Sequence, residues 1–176
     1  MKFDLTDEQL DSIGDIRQTV ESDSAAIDRI VNEIIQPYCK DLDAYVLFIK
    51  DCLKDGENPP TNDELDDFCL NLSTFIYFAG GMCEQLGIRD DIAKAVYKEM
   101  YHTKRSELNS GTIADKDSLA ELASQSEAVA SFTYTRAYKT MKAKVENAQE
   151  LLSSVKKVLS HRLSEMELTR MGGSGR

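Results

Sequence analysis

Ten lysine and arginine side chains in the second half of the chain are the residues best suited to chemistry, and that chemistry is the binding of phosphate groups. Cations that neutralise phosphates release condensed counterions, so such sets are typical of nucleic-acid interfaces. Tyr97 and Tyr101 lie among them and could stack on bases. The alternative is that the lysines are solvated helix faces and the tyrosines belong to the core. The ten candidates are Lys98, Lys104, Arg105, Arg136, Lys139, Lys142, Lys144, Lys156, Lys157 and Arg162.

Signatures of catalysis and of metal binding are missing from the sequence. There is no Gly-x-Gly-x-x-Gly, Walker loop, Gly-x-Ser-x-Gly or His-Glu-x-x-His motif. The acidic pairs Asp66-Asp67 and Asp90-Asp91 are better explained by helix capping and solvation than by a divalent ion. The four cysteines form no Cys-x-x-Cys pair, which favours buried free thiols over a metal site or disulfides. We therefore expect a protein that is not an enzyme and that holds no metal or cofactor.

The charge is divided unequally along the chain. The net charge is −10, but residues 1–88 hold six Lys and Arg against 19 Asp and Glu, whereas residues 89–176 hold 15 against 12. Because the two halves have net charges of opposite sign, we expect them to bind different partners or to bind each other.

An apolar seam runs through the C-terminal stretch that must position most of the cations. From Tyr134 to Met166, steps of four and three residues meet apolar side chains, interrupted only by Arg162. This repeat predicts a long helix that packs lengthwise against other helices. We expect it to be longer than the N-terminal half can cover, and so to drive formation of a homo-oligomer. The predicted oligomerisation residues are Tyr138, Met141, Val145, Leu152, Val155 and Leu159.

The N-terminal half shows several shorter helical patterns. Capping boxes at 6–9 and 61–64 predict the first turns of two helices. Residues 21–24 and Pro37 suggest interruptions of the helical pattern, and residues 56–60 form the clearest predicted loop. We expect the Gly80-Gly81 pair to permit close packing of another backbone, in preference to marking a kink.

Further helix limits are expected in the second half. Gly87 is placed to end a helix and Asp90 or Asp91 to cap the next, which closes at 110–111. A long run follows from Thr112. Its apolar phase changes near 124–133, where a bend or a change of packing partner is predicted.

The block from Asp91 to Thr169 resembles the small helical recombination mediators of bacteriophages, the UvsY type. The likeness lies in its layout: a basic helix, a short polar linker, and a long helix that ends in a Lys/Arg-rich turn. It is carried by Ala95-Val96-Tyr97-Lys98, Thr103-Lys104-Arg105, Gly111-Thr112-Ile113-Ala114-Asp115-Lys116, Glu127, Ala137-Tyr138-Lys139, Lys142-Ala143-Lys144 and the stretch from Leu152 to Arg162.

This resemblance implies a homo-oligomer that binds single-stranded DNA and helps a RecA-like recombinase to replace single-strand-binding protein. The ten cations named above would be the DNA contacts. Residues 1–88 fall outside the likeness, and their acidity suggests that they shield or regulate the basic half.

The sequence thus predicts an all-α protein with three parts: an acidic N-terminal bundle of about four helices (1–88), a basic helical hairpin with a long coiled-coil-like second arm (89–170), and a flexible tail (171–176). We expect it to act in the cytoplasm, since no run of 18 apolar residues occurs. Two other functions remain open: an acidic phage protein that mimics or blocks a nucleic-acid-binding surface of a host factor, and a structural component of a virion or assembly.

Overall fold

The fold is all-α, as the sequence predicts. The computed structural model describes residues 6–54 and 58–172, and within them the side chains other than those of 7–10 and 172. Four helices account for nearly all of these residues, and the described ranges contain no strand. The helices are α1 (Asp7–Lys54), α2 (Asn62–Glu107), α3 (Ile113–Ala123) and α4 (Gln125–Gly172).

The three long helices pack side by side. The aromatic ring of Tyr45 on α1 lies 5.1 Å from that of Phe75 on α2. Further along α2, a β-carbon placed on Gly87 would lie 3.3 Å from the Tyr138 ring of α4, and at the start of α2 the Asn62 side chain lies 3.3 Å from the Met166 sulfur of α4. Helix α2 therefore runs antiparallel to both α1 and α4, and its most extensive contact is with α4.

A single apolar core lies between these helices. Its largest fully buried side chains come from α1, α2 and α4 together, so each long helix contributes one stripe to a common interior. Burial of each such side chain stabilises the fold by roughly 1.5–3 kcal/mol. These side chains include Ile35, Ile49, Leu65, Leu72, Leu86, Met141 and Val155.

Capping boxes fix two of the helix starts. The Thr61 side chain accepts a hydrogen bond from the Glu64 amide while the Glu64 carboxylate accepts from the Thr61 amide, and Thr112 and Asp115 repeat the arrangement at α3. The Thr61 box confirms the prediction, whereas the box expected at 6–9 involves side chains outside the described residues. Ser124 separates α3 from α4, within the stretch where a change of packing was predicted.

The helices are longer than the sequence patterns suggested. Residues 21–24 and Pro37 lie inside α1, and the expected helix limits at Gly87 and Asp90 lie inside α2. Pro37 removes only one backbone hydrogen bond, and packing on either side of it outweighs that loss. Residues 1–88 therefore supply α1 and the first part of α2 instead of about four helices, and the predicted boundary at 88/89 falls within a continuous helix.

Two further expectations concern the glycine pair and the cysteines. A β-carbon on Gly80 or Gly81 would meet no described atom within 4 Å, so the expected close packing is wrong for the single chain. The cysteines are free thiols, as predicted. Burial, aided by the neighbouring Asp43 carboxylate, raises the pKa of Cys39 to about 11.

The N-terminal part of α1 extends beyond the packed region. All side chains from 11 to 26 are exposed, and the core begins only at Ile27 and Val31. We call residues 11–26 the arm. Its apolar row of Ile13, Ile16 and Val20 has no cover among the described residues.

Candidate nucleic-acid interface

Four of the ten candidate cations are engaged by groups of the same chain. Lys144 donates hydrogen bonds to both carboxylate oxygens of Asp43. Arg105 forms an ion pair with Asp117, which ties α2 to α3. The other two are Lys104, which pairs with Glu107, and Arg162, which donates to the Pro60 carbonyl.

The remaining cations face solvent. Lys142 is exposed and lies 3.9 Å from Glu146, a separation at which the pair contributes little. The other five are exposed and, within the described parts of the chain, form no ion pair. We call these five the free cations: Lys98, Arg136, Lys139, Lys156 and Lys157.

The free cations lie along the α2–α4 hairpin. Lys139 and Lys156 each act electrostatically on a titratable group of α2, so both lie on the part of α4 that borders that helix. Seventeen residues separate them, which is roughly 25 Å along a helix. Glu146 and Glu150 interrupt the row between them. The hairpin therefore carries two cationic patches, one near Lys139 and one at Lys156 and Lys157, separated by an acidic and polar stretch.

Asp90 organises the first patch. Its buried carboxylate accepts hydrogen bonds from Lys94 at 2.7 Å and from Thr135 of α4 at 2.5 Å. Burial alone would raise the pKa of this carboxyl, but the two hydrogen bonds and the charges of Lys94 and Lys139 hold it below its usual value. The position predicted as a helix cap is instead an anchor that joins α2 to α4.

The aromatic residues expected to stack on bases are not both available. The Tyr101 hydroxyl donates to Asp117 at 3.1 Å, and both Tyr97 and Tyr101 are partly buried.

Phe132, which the sequence reasoning missed, is 56 % exposed on α4. It lies four residues before Arg136 and seven before Lys139, so all three share one face of the helix. This spacing was the available signal, but an apolar residue in a long helix is ordinarily assigned to the core.

The six residues predicted to mediate oligomerisation lie within the protein's own core. Met141 and Val155 are fully buried, and Tyr138, Leu152 and Leu159 pack against the same cluster, as does Val145. The expectation that the seam is too long to be covered was wrong, because α1 and α2 each extend to nearly 50 residues. Met141, Val145 and Val155 are therefore not available to a second copy in the folded chain, whereas Tyr138, Leu152 and Leu159 keep some exposed surface, and homo-oligomerisation itself stays a prediction.

Comparison with known proteins gives no match: neither family models, nor curated proteins, nor solved structures resemble the chain at a significant level. Among the described residues, no three His, Cys, Asp or Glu side chains are grouped closely enough to hold a metal ion. No described helix has a stretch long and apolar enough to cross a membrane.

Proposed function

We propose that this protein binds single-stranded DNA along the outer face of the α2–α4 hairpin, without catalysis, as a recombination mediator does. The observation that carries the proposal is the set of free cations in a chain whose net charge is −10. Four other cations of the hairpin are instead engaged by carboxylates or by a backbone carbonyl. Five exposed charges without such partners are available to phosphates.

The position of Phe132 supports a single strand over a duplex. Bases of a single strand are unstacked and can lie on an exposed ring, while bases within a duplex cannot. Arg136 and Lys139, on the same face, would hold the flanking phosphates. The role beside a RecA-like recombinase and single-strand-binding protein rests on the resemblance of the C-terminal block and forms part of the same proposal.

The test is a salt titration of binding to a fluorescent single-stranded oligonucleotide. Replacing Lys139, Lys156 and Lys157 by Gln removes three free cations and should reduce the slope of log affinity against log salt by about 2, at roughly 0.7 per contact. The matched control replaces Lys40, Lys50 and Lys54 of α1, which are also exposed, and changes the net charge equally. Equal slopes for the two triple variants, or no binding by the unaltered protein at low salt, would exclude the proposed interface.

A second candidate is favoured by the arm. Its exposed face carries four carboxylates, Asp11, Asp15, Glu21 and Asp23, against the single cation Arg17, which itself pairs with Glu21. An exposed acidic helix of this kind could occupy the nucleic-acid-binding surface of another protein. Binding of the purified protein to a basic DNA-binding protein, lost when the four carboxylates become amides, would support this function over the first.

A further inference from the structure

A cleft opens between the last turns of α1 and the first turns of α2, lined by residues within 45–52 and 58–71. It encloses about 410 Å³, a volume in the usual range of small-ligand sites. Nine described residues line it, and they include two carboxylates but no lysine or arginine. The cleft is therefore both concave and negatively charged, and the proposed binding of DNA does not use it.

Three aromatic rings form one wall of the cleft. The centroid of the Phe48 ring on α1 lies 5.8 Å from that of Tyr45 and 5.8 Å from that of Phe68 on α2, so the three rings are contiguous. Phe68 is buried, whereas Phe48 is 51 % exposed. The face of an aromatic ring attracts a cation through its quadrupole, and the attraction is stronger where water is partly excluded. This wall is therefore suited to an organic cation.

Two carboxylates of α2 border the same cleft. Glu64 and Asp67 are three residues apart and so share one face of the helix. The Thr61 amide and hydroxyl donate to Oε2 of Glu64 at 2.7 and 2.8 Å, which orients this carboxylate and lowers its pKa. Asp67 is exposed and forms no ion pair with a described residue. The aromatic wall thus lies beside one oriented anion and one anion that is open to a ligand.

We infer that this cleft binds a guanidinium group. Guanidinium suits both parts of the site, because its flat face stacks on an aromatic ring while its edge donates two parallel hydrogen bonds to a carboxylate. An ammonium group has the charge but neither the flat face nor the paired donors. A free alkylguanidine and an arginine side chain of another protein both present this group. The inference does not depend on DNA binding.

A titration of the unaltered protein with butylguanidinium, followed by NMR, tests the site. We expect saturable shifts confined to residues around the cleft, such as Cys52 and Asn71, with a dissociation constant of about 1 mM. Butylurea is the matched ligand, because it has nearly the same shape without the charge, and it should bind at least about threefold more weakly. Equal binding of the two ligands, or no saturable shift at the cleft up to about 20 mM butylguanidinium, would overturn the inference.

A capped tripeptide with the sequence Gly-Arg-Gly identifies the source of the group. Binding at least as tight as that of butylguanidinium would assign the site to an arginine of a protein partner, because the cleft then accommodates the flanking backbone. Weaker binding would assign it to a free alkylguanidine. Both results support a guanidinium site, which the comparison with butylurea tests separately.

Substitutions test the carboxylate and the aromatic wall. Asp67→Asn should raise the dissociation constant of butylguanidinium at least about threefold. The matched control is Asp66→Asn, which changes the charge equally at an exposed neighbour outside the cleft and should leave the constant nearly unchanged. Equal effects of these two substitutions would show that the overall charge attracts the ligand, and would overturn the inference.

Phe48→Leu should also raise this dissociation constant about threefold, whereas Phe48→Trp should not, because it keeps an aromatic face. The control for lost aromatic surface is Tyr77→Leu, since Tyr77 is 77 % exposed and lies outside the cleft. Unchanged affinity in Phe48→Leu, or an equal loss in Tyr77→Leu, would contradict the assignment of the cation to the aromatic wall.

Discussion

Lys144 Nζ lies 2.7 and 2.8 Å from the two carboxylate oxygens of Asp43, and this bidentate contact joins α4 to α1. The pair is only partly buried, and Lys144 also acts on the neighbouring Cys39 thiol. A lysine that appears in the sequence as one more member of a basic helix therefore has a structural partner. Sequence spacing cannot reveal this, because Asp43 is 101 residues away.

The first prediction separates this lysine from a free one. Lys144→Gln should leave the salt dependence of single-stranded DNA binding unchanged and lower the free energy of unfolding by about 1 kcal/mol or less, as expected of a partly exposed pair. Lys139→Gln should do the reverse: reduce the salt slope by about 0.7 and leave stability nearly unchanged. Salt titration and urea unfolding of the two variants measure both quantities. A lower slope for Lys144→Gln would mean that its bond to Asp43 opens to admit DNA.

The second prediction concerns the α4 seam. Met141→Ala should lower the free energy of unfolding by about 2–5 kcal/mol, because a fully buried side chain is removed from the core. Ile16→Ala on the arm should change it by less than about 0.5 kcal/mol, because Ile16 is exposed. Urea unfolding of each variant is the measurement. If Met141→Ala instead left stability intact and altered only the oligomeric mass, the seam would be an intermolecular contact after all.

The third prediction tests base stacking on Phe132. Phe132→Ala should weaken binding to single-stranded DNA by about 1–3 kcal/mol while leaving the salt slope unchanged, because stacking releases no counterions. Phe132→Trp should retain affinity. An oligonucleotide without bases separates stacking from phosphate binding. The unaltered protein should bind it more weakly than an intact strand, and Phe132→Ala should bind it as tightly as the unaltered protein does. Equal losses on intact and abasic strands would assign Phe132 to the fold instead.

The fourth prediction uses the depressed pKa of Asp90. Because the folded protein holds this carboxyl below its usual pKa, its contribution to stability is present above about pH 4 and is lost as the pH falls through the folded-state pKa. Asp90→Asn should therefore destabilise the protein at pH 7 by about 1–3 kcal/mol, and the difference from the unaltered protein should shrink below about pH 4. Unfolding by urea at pH 7, 4 and 3 measures this, with the exposed neighbour Asp91→Asn as control. A constant difference across these pH values would show that the carboxylate charge is not what stabilises the site.

Local sequence signals predicted much of the fold. The Thr61 box predicted the start of α2, and the apolar repeat of α4 predicted a long packed helix, because both depend on residues within a few turns of one another. The repeat could not show which helices pack against α4. Met141 and Val155 fit a contact between two copies as well as they fit the core of one copy, and the choice depends on whether α1 and α2 are long enough to cover them.

The same limit applies to the candidate site. The sequence listed the cations but could not separate Lys139, which is free, from Arg105, which Asp117 holds. Nor could it distinguish the exposed Phe132 from the partly buried Tyr101. Each distinction depends on the side of the helix that faces a neighbour, which is a property of the assembled bundle.

The arm has a consequence for the motions of the protein. Its 16 residues gain no tertiary support from the described part of the chain, and a helix of that length is marginal in water on its own. Its helical state is therefore propagated from the packed turns that begin near Val31, and the helix–coil boundary can move along the arm at little free-energy cost. Amide hydrogens should exchange with solvent progressively faster from residue 26 back towards residue 11, while those around Ile35 and Ile49 should exchange only on global unfolding. A partner that binds the arm would hold it in the helical state and slow this exchange.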